Sequence, residues 1–236
     1  MPDSIVILTG AGISKESGLD TFRDKGGLWA RVRVDDVATA DAFVRDPAQV
    51  HGFYNMRRRS LLAPEIRPNA AHEALARLER DWSGDFLLVT QNIDDLHERA
   101  GSERLIHMHG EMLKARCARC EATVPWRDDL STDLVCAGCG AGGLMRPHVV
   151  WFGEMPLDMP RIERALRDAD LFLSIGTSGN VYPAAGFVDL AARAGARTVQ
   201  LNLEASAHND LFDDTLYGPA TEIVPRFVEA LLTASA

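Results

Sequence analysis

Apolar residues fall along the chain in two rhythms. Short continuous runs, IVILT at 5–9, FLLVT at 86–90, LFLSI at 171–175 and TVQL at 198–201, have the length and β-rich composition of parallel strands buried on both faces. Between them, 70–80, 161–169, 184–194 and 219–232 carry apolar residues at helical spacing. In the first of these Ala74, Leu75 and Leu78 share a face, and Asn69 stands where an N-cap is needed. Strand and helix in alternation predict an α/β fold built on a doubly wound, Rossmann-like parallel sheet. Ligands meet such sheets at the carboxyl ends of the strands, so the loops starting at Gly10, Gln91, Gly176 and Asn202 should converge on one crevice.

Two stretches break the alternation. Residues 24–68 read as helical and rich in aromatic residues and arginine, and 113–145 hold all four cysteines. They predict a smaller zinc-binding and helical domain inserted into a larger part at about 1–23, 69–112 and 146–236, the whole of 1–236 forming one unit. With 46% hydrophobic residues the chain has enough apolar side chains for a sizeable core. Its apolar runs fall far short of the roughly 20 residues a membrane span requires, and no basic segment precedes an apolar one at the start. A cytoplasmic protein without membrane contact is expected. The net charge of −9, with arginines scattered except at 57–59, lacks the basic footprint of a nucleic-acid binder.

GAGISKESGLDTFR (10–23) follows the first strand directly, where backbone amides and a helix N-terminus can meet a pyrophosphate. Gly10 and Gly12 would allow close backbone approach. The dehydrogenase fingerprint needs a third glycine where Lys15 stands, so the loop fits hydride transfer poorly. From spacing alone it is equally a tight strand-to-helix turn.

Cys117 and Cys120 are two residues apart, as are Cys136 and Cys139, and fifteen residues separate the pairs. Such spacing lets two short loops present four thiolates to one zinc ion. Four protein ligands leave no open coordination position, so the metal would be structural. Glu121, Asp128, Asp129 and Asp133 make the module a poor partner for phosphate.

His109 follows the strand-like 105–108 segment and precedes Gly110, with His107 two residues earlier as its competitor. A pKa near about 6.5 suits either imidazole to accept a proton at neutral pH. In FYNMRRRSL (53–61), Tyr54 and Arg57 lie three apart and would share a helix face. A solvated arginine run is the plainer reading of that stretch.

GAGIS with Ser17-Gly18 and Phe22-Arg23, TQNIDDLH (90–97) and HMHG (107–110) together resemble the signatures of the sirtuin family. The likeness continues through RPHVVWFGE (146–154), GTS (176–178), NLE (202–204) and GPA (218–220), and is closest to the bacterial deacylases. It implies an NAD-dependent protein-lysine deacylase that consumes NAD as cosubstrate and acts on acyl-lysine proteins or peptides. The products would be free lysine, nicotinamide and 2'-O-acyl-ADP-ribose.

The resemblance selects His109 as catalytic base and brings in Asn92 as a catalytic partner. It implies cofactor contacts from Gly10, Ala11, Gly12, Ile13, Phe22, Arg23, Trp29, Gln91, Asn92, Ile93, Asp94, Gly176, Thr177, Ser178, Asn202, Leu203, Glu204 and Ala220. Phe22 resembles the aromatic that shields the reactive ribose carbon. Val149, Phe152 and Gly153 resemble the loop that pairs with substrate backbone, opposite 179–182. Tyr54 and Arg57 match the pair of the branch that removes succinyl and malonyl groups, without excluding acetyl. The resemblance also implies that the four cysteines hold the structural zinc. Protein mono-ADP-ribosyl transfer and an NAD- or zinc-dependent binding module are the rival readings.

Overall fold

The structure, a computed structural model, describes residues 2–20, 32–206 and 209–235. Its centre is a six-stranded sheet made of β1 (Ser4–Thr9), β2 (Asp85–Thr90), β3 (Leu105–His107), β7 (Leu171–Ile175), β8 (Arg197–Asn202) and β9 (Asp214–Tyr217). The spatial order is β3-β2-β1-β7-β8-β9, with every neighbouring pair parallel. Counted along the chain this is the 3-2-1-4-5-6 order, and it reverses direction between β1 and β7.

Period-two alternation divides the core between the two sheet faces. Ile5, Ile7, Leu88, Leu173 and Val199 pack with Leu75 and Leu78 of the helix Ala70–Asp81 and with Val224 and Val228 of the helix Ala220–Ser235. Val6, Leu8, Val89 and Phe172 turn the other way, onto Ile162 and Leu166 of Met159–Asp168 and onto Phe187 and Ala191 of Phe187–Ala194. The expected strands and helices are thus present, with ends displaced by at most three residues. Residues 184–186 wind as a 3-10 turn before the α-helix begins at Phe187. The edge strand β9 escapes a search for buried apolar runs because DTLY is largely exposed.

A second packing unit sits beside the sheet. The helices Val34–Val37, Ala40–Arg45 and Pro47–Leu61 bury Val37, Phe43, Val50, Phe53 and Tyr54 against Met112, Val149 and Trp151. From there β4 (Gly110–Cys117) runs antiparallel to β5 (Thr123–Pro125) and β6 (Met145–Val149). At the cysteine end the core shrinks to Ala115, Leu130, Met145 and the buried Cys117 and Cys136, too few groups to order so irregular a loop by burial alone. Among the described residues no helix is long and apolar enough to cross a membrane.

Asn69 does more than cap. Its Oδ1 accepts from the Ala71 N–H at 3.0 Å, and its Nδ2 donates to the Ile13 carbonyl at 2.8 Å and the Ser17 hydroxyl at 2.9 Å. One side chain therefore starts a helix and holds the first loop against it. Asn69→Ala is expected to lower stability by about 1–2 kcal/mol in urea unfolding; an unchanged midpoint would contradict this account.

Candidate active site

A cleft of about 1000 Å³ opens at the carboxyl ends of the strands. Gly10, Ala11 and Gly12 after β1, Gln91, Asn92 and Ile93 after β2, Gly176, Thr177 and Ser178 after β7, and Asn202, Leu203 and Glu204 after β8 all line it. Gly218 and Ala220 close one end where the last helix begins, and Tyr54, Arg57, Val149, Phe152 and Gly153 form the opposite wall. The convergence expected from the strand ends is therefore observed, with the smaller unit supplying the far side.

The glycines of the first loop line the cleft and also have a structural task. Gly12 N–H donates to the Gly176 carbonyl at 2.9 Å, and Gly10 N–H to the Ile175 carbonyl at 3.0 Å. A Cβ added to Gly12 would fall 2.7 Å from the Gly176 Cα, and one on Gly10 2.8 Å from the Gly176 oxygen. What fills the space beside these glycines is the β7 loop, so they are required first for two loops to meet across the reversal point of the sheet.

The two histidines separate by their partners. His107 places Nε2 2.7 Å from a Glu98 carboxylate oxygen and Nδ1 3.2 Å from the Asn92 carbonyl. Burial disfavours its cation, but the bond and charge of Glu98, with Glu111 nearby, outweigh that and raise its pKa. Both nitrogens of His107 are committed, and it does not line the cleft. His109 lines the cleft, and its Nδ1 lies 3.1 Å from the Gln91 carbonyl. A carbonyl only accepts, so Nδ1 carries the proton and Nε2 presents its lone pair. Burial lowers the pKa of His109, which keeps it neutral at pH 7.

Asn92 is held from behind. Its Nδ2 donates to the Gly10 carbonyl at 3.2 Å and to the Ser14 hydroxyl at 3.0 Å, while its N–H bonds Thr90 Oγ1 at 3.0 Å. With both amide hydrogens spent in the wall, Oδ1 is the group left to act on a ligand. Ser14 donates to Asp94 Oδ2 at 3.1 Å. It lies 3.4 Å from Nε2 of His72, a ring that burial keeps neutral with a pKa of about 4. On its other side His72 Nδ1 lies 3.3 Å from the Asn69 backbone nitrogen and 3.1 Å from Asn69 Oδ1, so the ring bridges Ser14 and the helix cap. Asp94 and Ile13 are buried members of this support and do not line the cleft. Burial pushes Asp94 up to about 6, leaving it ionised at neutral pH.

On the β8 side Asn202 donates to the Thr177 carbonyl at 2.8 Å, fixing one loop to the next. Thr177 Oγ1 shares a bond of 2.9 Å with Ser174, and Ser178 Oγ accepts from the Asn180 N–H at 3.4 Å. Glu16 reaches across to Thr221, accepting from its N–H at 3.1 Å and its hydroxyl at 2.7 Å, which ties the first loop to the start of the last helix. Phe22, Arg23 and Trp29 lie outside the described residues.

The three consecutive arginines point three ways, as a helix advance of about 100° per residue requires. Arg57 lines the cleft. Arg58 is wholly buried, donating to the Met112 carbonyl and to Asn55, whereas Arg59 is exposed and pairs with Asp129 at 2.6 Å. The solvated reading suits Arg59 alone. Tyr54 is buried beside Arg57, and burial pushes its phenol up to about 12. On the peptide-side wall the Phe152 N–H is already given to the Ala38 carbonyl at 3.0 Å, and the Val149 carbonyl accepts from Arg146 at 2.7 Å. Trp151, Arg146 and Glu154 brace this wall. Sequence reading passed over the first two as working groups, although a buried indole N–H usually finds a partner.

The four cysteine sulfurs all lie within 4.8 Å of one another, with Cys117 to Cys139 and Cys120 to Cys136 both at 3.7 Å. A tetrahedron with metal–sulfur bonds of about 2.3 Å has edges of about 3.8 Å. The cluster therefore fits one zinc ion, and the Arg119 N–H directed at the Cys117 sulfur at 3.4 Å suits a thiolate.

Residues 10–183 match the Sir2 family model. The NAD-dependent protein deacylase of Caulobacter vibrioides is 57% identical over 231 residues, covering 97% of this chain and 96% of its own. The chain belongs to the Sir2 family. Among solved structures, a Sir2 homologue bound to NAD superposes with a TM-score of 0.89 at 38% identity, covering 100% of this chain and 91% of that one. A Sir2 complex with a p53 peptide and NAD+ gives 0.82 at 31%, covering 97% and 93%. For this Sir2-family chain, metal analysis of the purified protein is expected to find one zinc per chain. Cys136→Ala should lose the metal and lower the thermal midpoint, while full stability without zinc would refute a structural ion.

Proposed function

We propose that this chain is an NAD-dependent protein-lysine deacylase that removes acetyl groups and, with Tyr54 and Arg57, acidic acyl groups such as succinyl and malonyl. The observation carrying the reading is the fixed tautomer of His109, a neutral base whose Nε2 lone pair is the ring's remaining functional group in a cleft floored by dinucleotide-fold loops.

Residues at the carboxyl ends of β1, β7 and β8 fit a dinucleotide. The 10–12 and 176–178 loops border its phosphate region, Glu204 offers a carboxylate to ribose hydroxyls, and Ala220 leaves room at the adenine end. Bound NAD supplies a ribose carbon whose nicotinamide can leave as the acyl oxygen of lysine is captured. Asn92 Oδ1 orients the ribose, and His109 Nε2 takes a proton from a ribose hydroxyl. Val149, Phe152 and Gly153 line the same cleft as 180–182, which supports entry of an extended acyl-lysine segment between them. Its acyl end then meets the wall that carries Tyr54 and Arg57. A neutral phenol and a guanidinium are both donors, matched to a carboxylate.

Purified protein given NAD and acetyl- or succinyl-lysine peptides should yield free lysine peptide, nicotinamide and O-acyl-ADP-ribose in equal amounts by mass spectrometry. His109→Ala is expected to lower turnover by roughly 10²- to 10⁴-fold. A heavier, ADP-ribosylated product would instead indicate transferase activity. Because burial lowers its pKa, His109 stays neutral until the pH falls below the ordinary histidine value of 6.5. The acid limb of kcat/KM should therefore lie below about 6.5, and a limb above it would exclude His109 in this environment as the base. Arg57→Met should reduce desuccinylation relative to deacetylation by roughly 10- to 100-fold; equal losses on the two substrates would remove the carboxylate clamp.

A further inference from the structure

The wall that carries Tyr54 is built around one buried indole. Trp151 is 2% exposed, and its Nε1–H donates to the Tyr54 oxygen at 3.0 Å. An indole nitrogen can only donate, so this bond has a fixed polarity. Tyr54 must accept, and its own proton is turned away from the indole. A phenol of about 12 retains that proton throughout the neutral range.

Trp151 itself is held at its backbone by Glu154 and on its ring face by Arg146. The Trp151 backbone N–H donates to Glu154 Oε2 at 2.8 Å. The same carboxylate takes two bonds from Arg146, at 2.5 and 2.9 Å, and the Arg146 guanidinium lies over the indole face, 3.3 Å from its centroid. A forked pair of bonds and a stacked face restrict a ring more than either does alone. Phe43 packs against another part of the indole, with centroids 5.4 Å apart. The result is a chain from the partly exposed Glu154 through Arg146 and Trp151 to the hydroxyl of Tyr54, along the wall of the cleft.

We infer that Trp151, clamped by Arg146 and Glu154, is a positioning residue for acyl selectivity: its donor-only indole orients the Tyr54 hydroxyl so that the phenol proton is offered to a carboxylate-bearing acyl group. This rests on the proposed role of Tyr54 and Arg57 and assigns what sets that pair in place. Acetyl has no carboxylate to receive the proton, so the effect appears as a ratio between substrates of one peptide sequence.

The test compares kcat/KM for succinyl- and acetyl-lysine forms of one peptide across Trp151→Phe, Tyr54→Phe and the double variant. Each single change should lower the succinyl-to-acetyl ratio by roughly 3- to 10-fold, the effect of one hydrogen bond, mainly through KM for the succinyl peptide. Trp151→Phe in the Tyr54→Phe background should add nothing further, because the indole acts through the hydroxyl. An equal further loss there, or an unchanged ratio in Trp151→Phe beside a reduced one in Tyr54→Phe, overturns the inference and leaves the clamp standing. An unchanged ratio in Tyr54→Phe overturns the clamp itself. Replacing Trp151 by benzothienylalanine, in which sulfur takes the place of the indole N–H, keeps ring size and packing and should reproduce the Trp151→Phe ratio. A wild-type ratio from that isostere overturns the inference even where the phenylalanine variant folds poorly.

Discussion

The contact between Gly12 and Gly176 is the constraint from which the site follows. The sheet reverses its order between β1 and β7, and the loops leaving those two strands must cross at backbone distance. A methyl group on either side would overlap main-chain atoms. With the loops joined there, the amide end of the first short helix, the 176–178 turn and the Asn202 tie surround one crevice. Dinucleotide folds place their ligand at such reversal points because strand ends on either side diverge and leave backbone groups unpaired.

Behind the cleft lies a polar layer that is costly to bury unless every member finds a partner. Asn69, His72, Ser14, Asp94 and Asn92 form one continuous run of hydrogen-bonded groups. Thr9, Thr90 and His97 form a second cluster beside it. These groups link the helix that begins at Ala70 to the loops after β1 and β2, so the orientation of the Asn92 amide follows from residues in three separate segments. His107 belongs to the same support, holding the Asn92 carbonyl on one nitrogen and Glu98 on the other.

The smaller unit obeys a different economy of forces. Its helices pack as an ordinary apolar cluster around Phe43, Tyr54 and Trp151, whereas the cysteine loops have almost no core and depend on metal coordination. The two parts meet at β4 and β6, whose pairing leads from His109 at the cleft to Cys117 at the zinc site. The cleft thereby sits at the seam between the sheet and a wall braced by Trp151.

The chain's own pattern determined the alternation of strand and helix, the Asn69 cap, the pairing of cysteines and the convergence of strand-end loops. Those features depend on residue periodicity and spacing, which are local quantities. The choice between His107 and His109 was not local; it needed the carbonyl of Gln91 and the carboxylate of Glu98 to show which ring keeps a lone pair in the cleft. Likewise the run at 57–59 looks uniform as letters, yet the tertiary surroundings of one helix send its three arginines to cleft, core and solvent. Gly10 and Gly12 were legible as glycines needed for close approach, but what approaches them is another loop, 164 residues after Gly12 in the chain. Contacts between segments far apart in sequence decide protonation, orientation and burial, and those three properties turn the residues of a motif into a site.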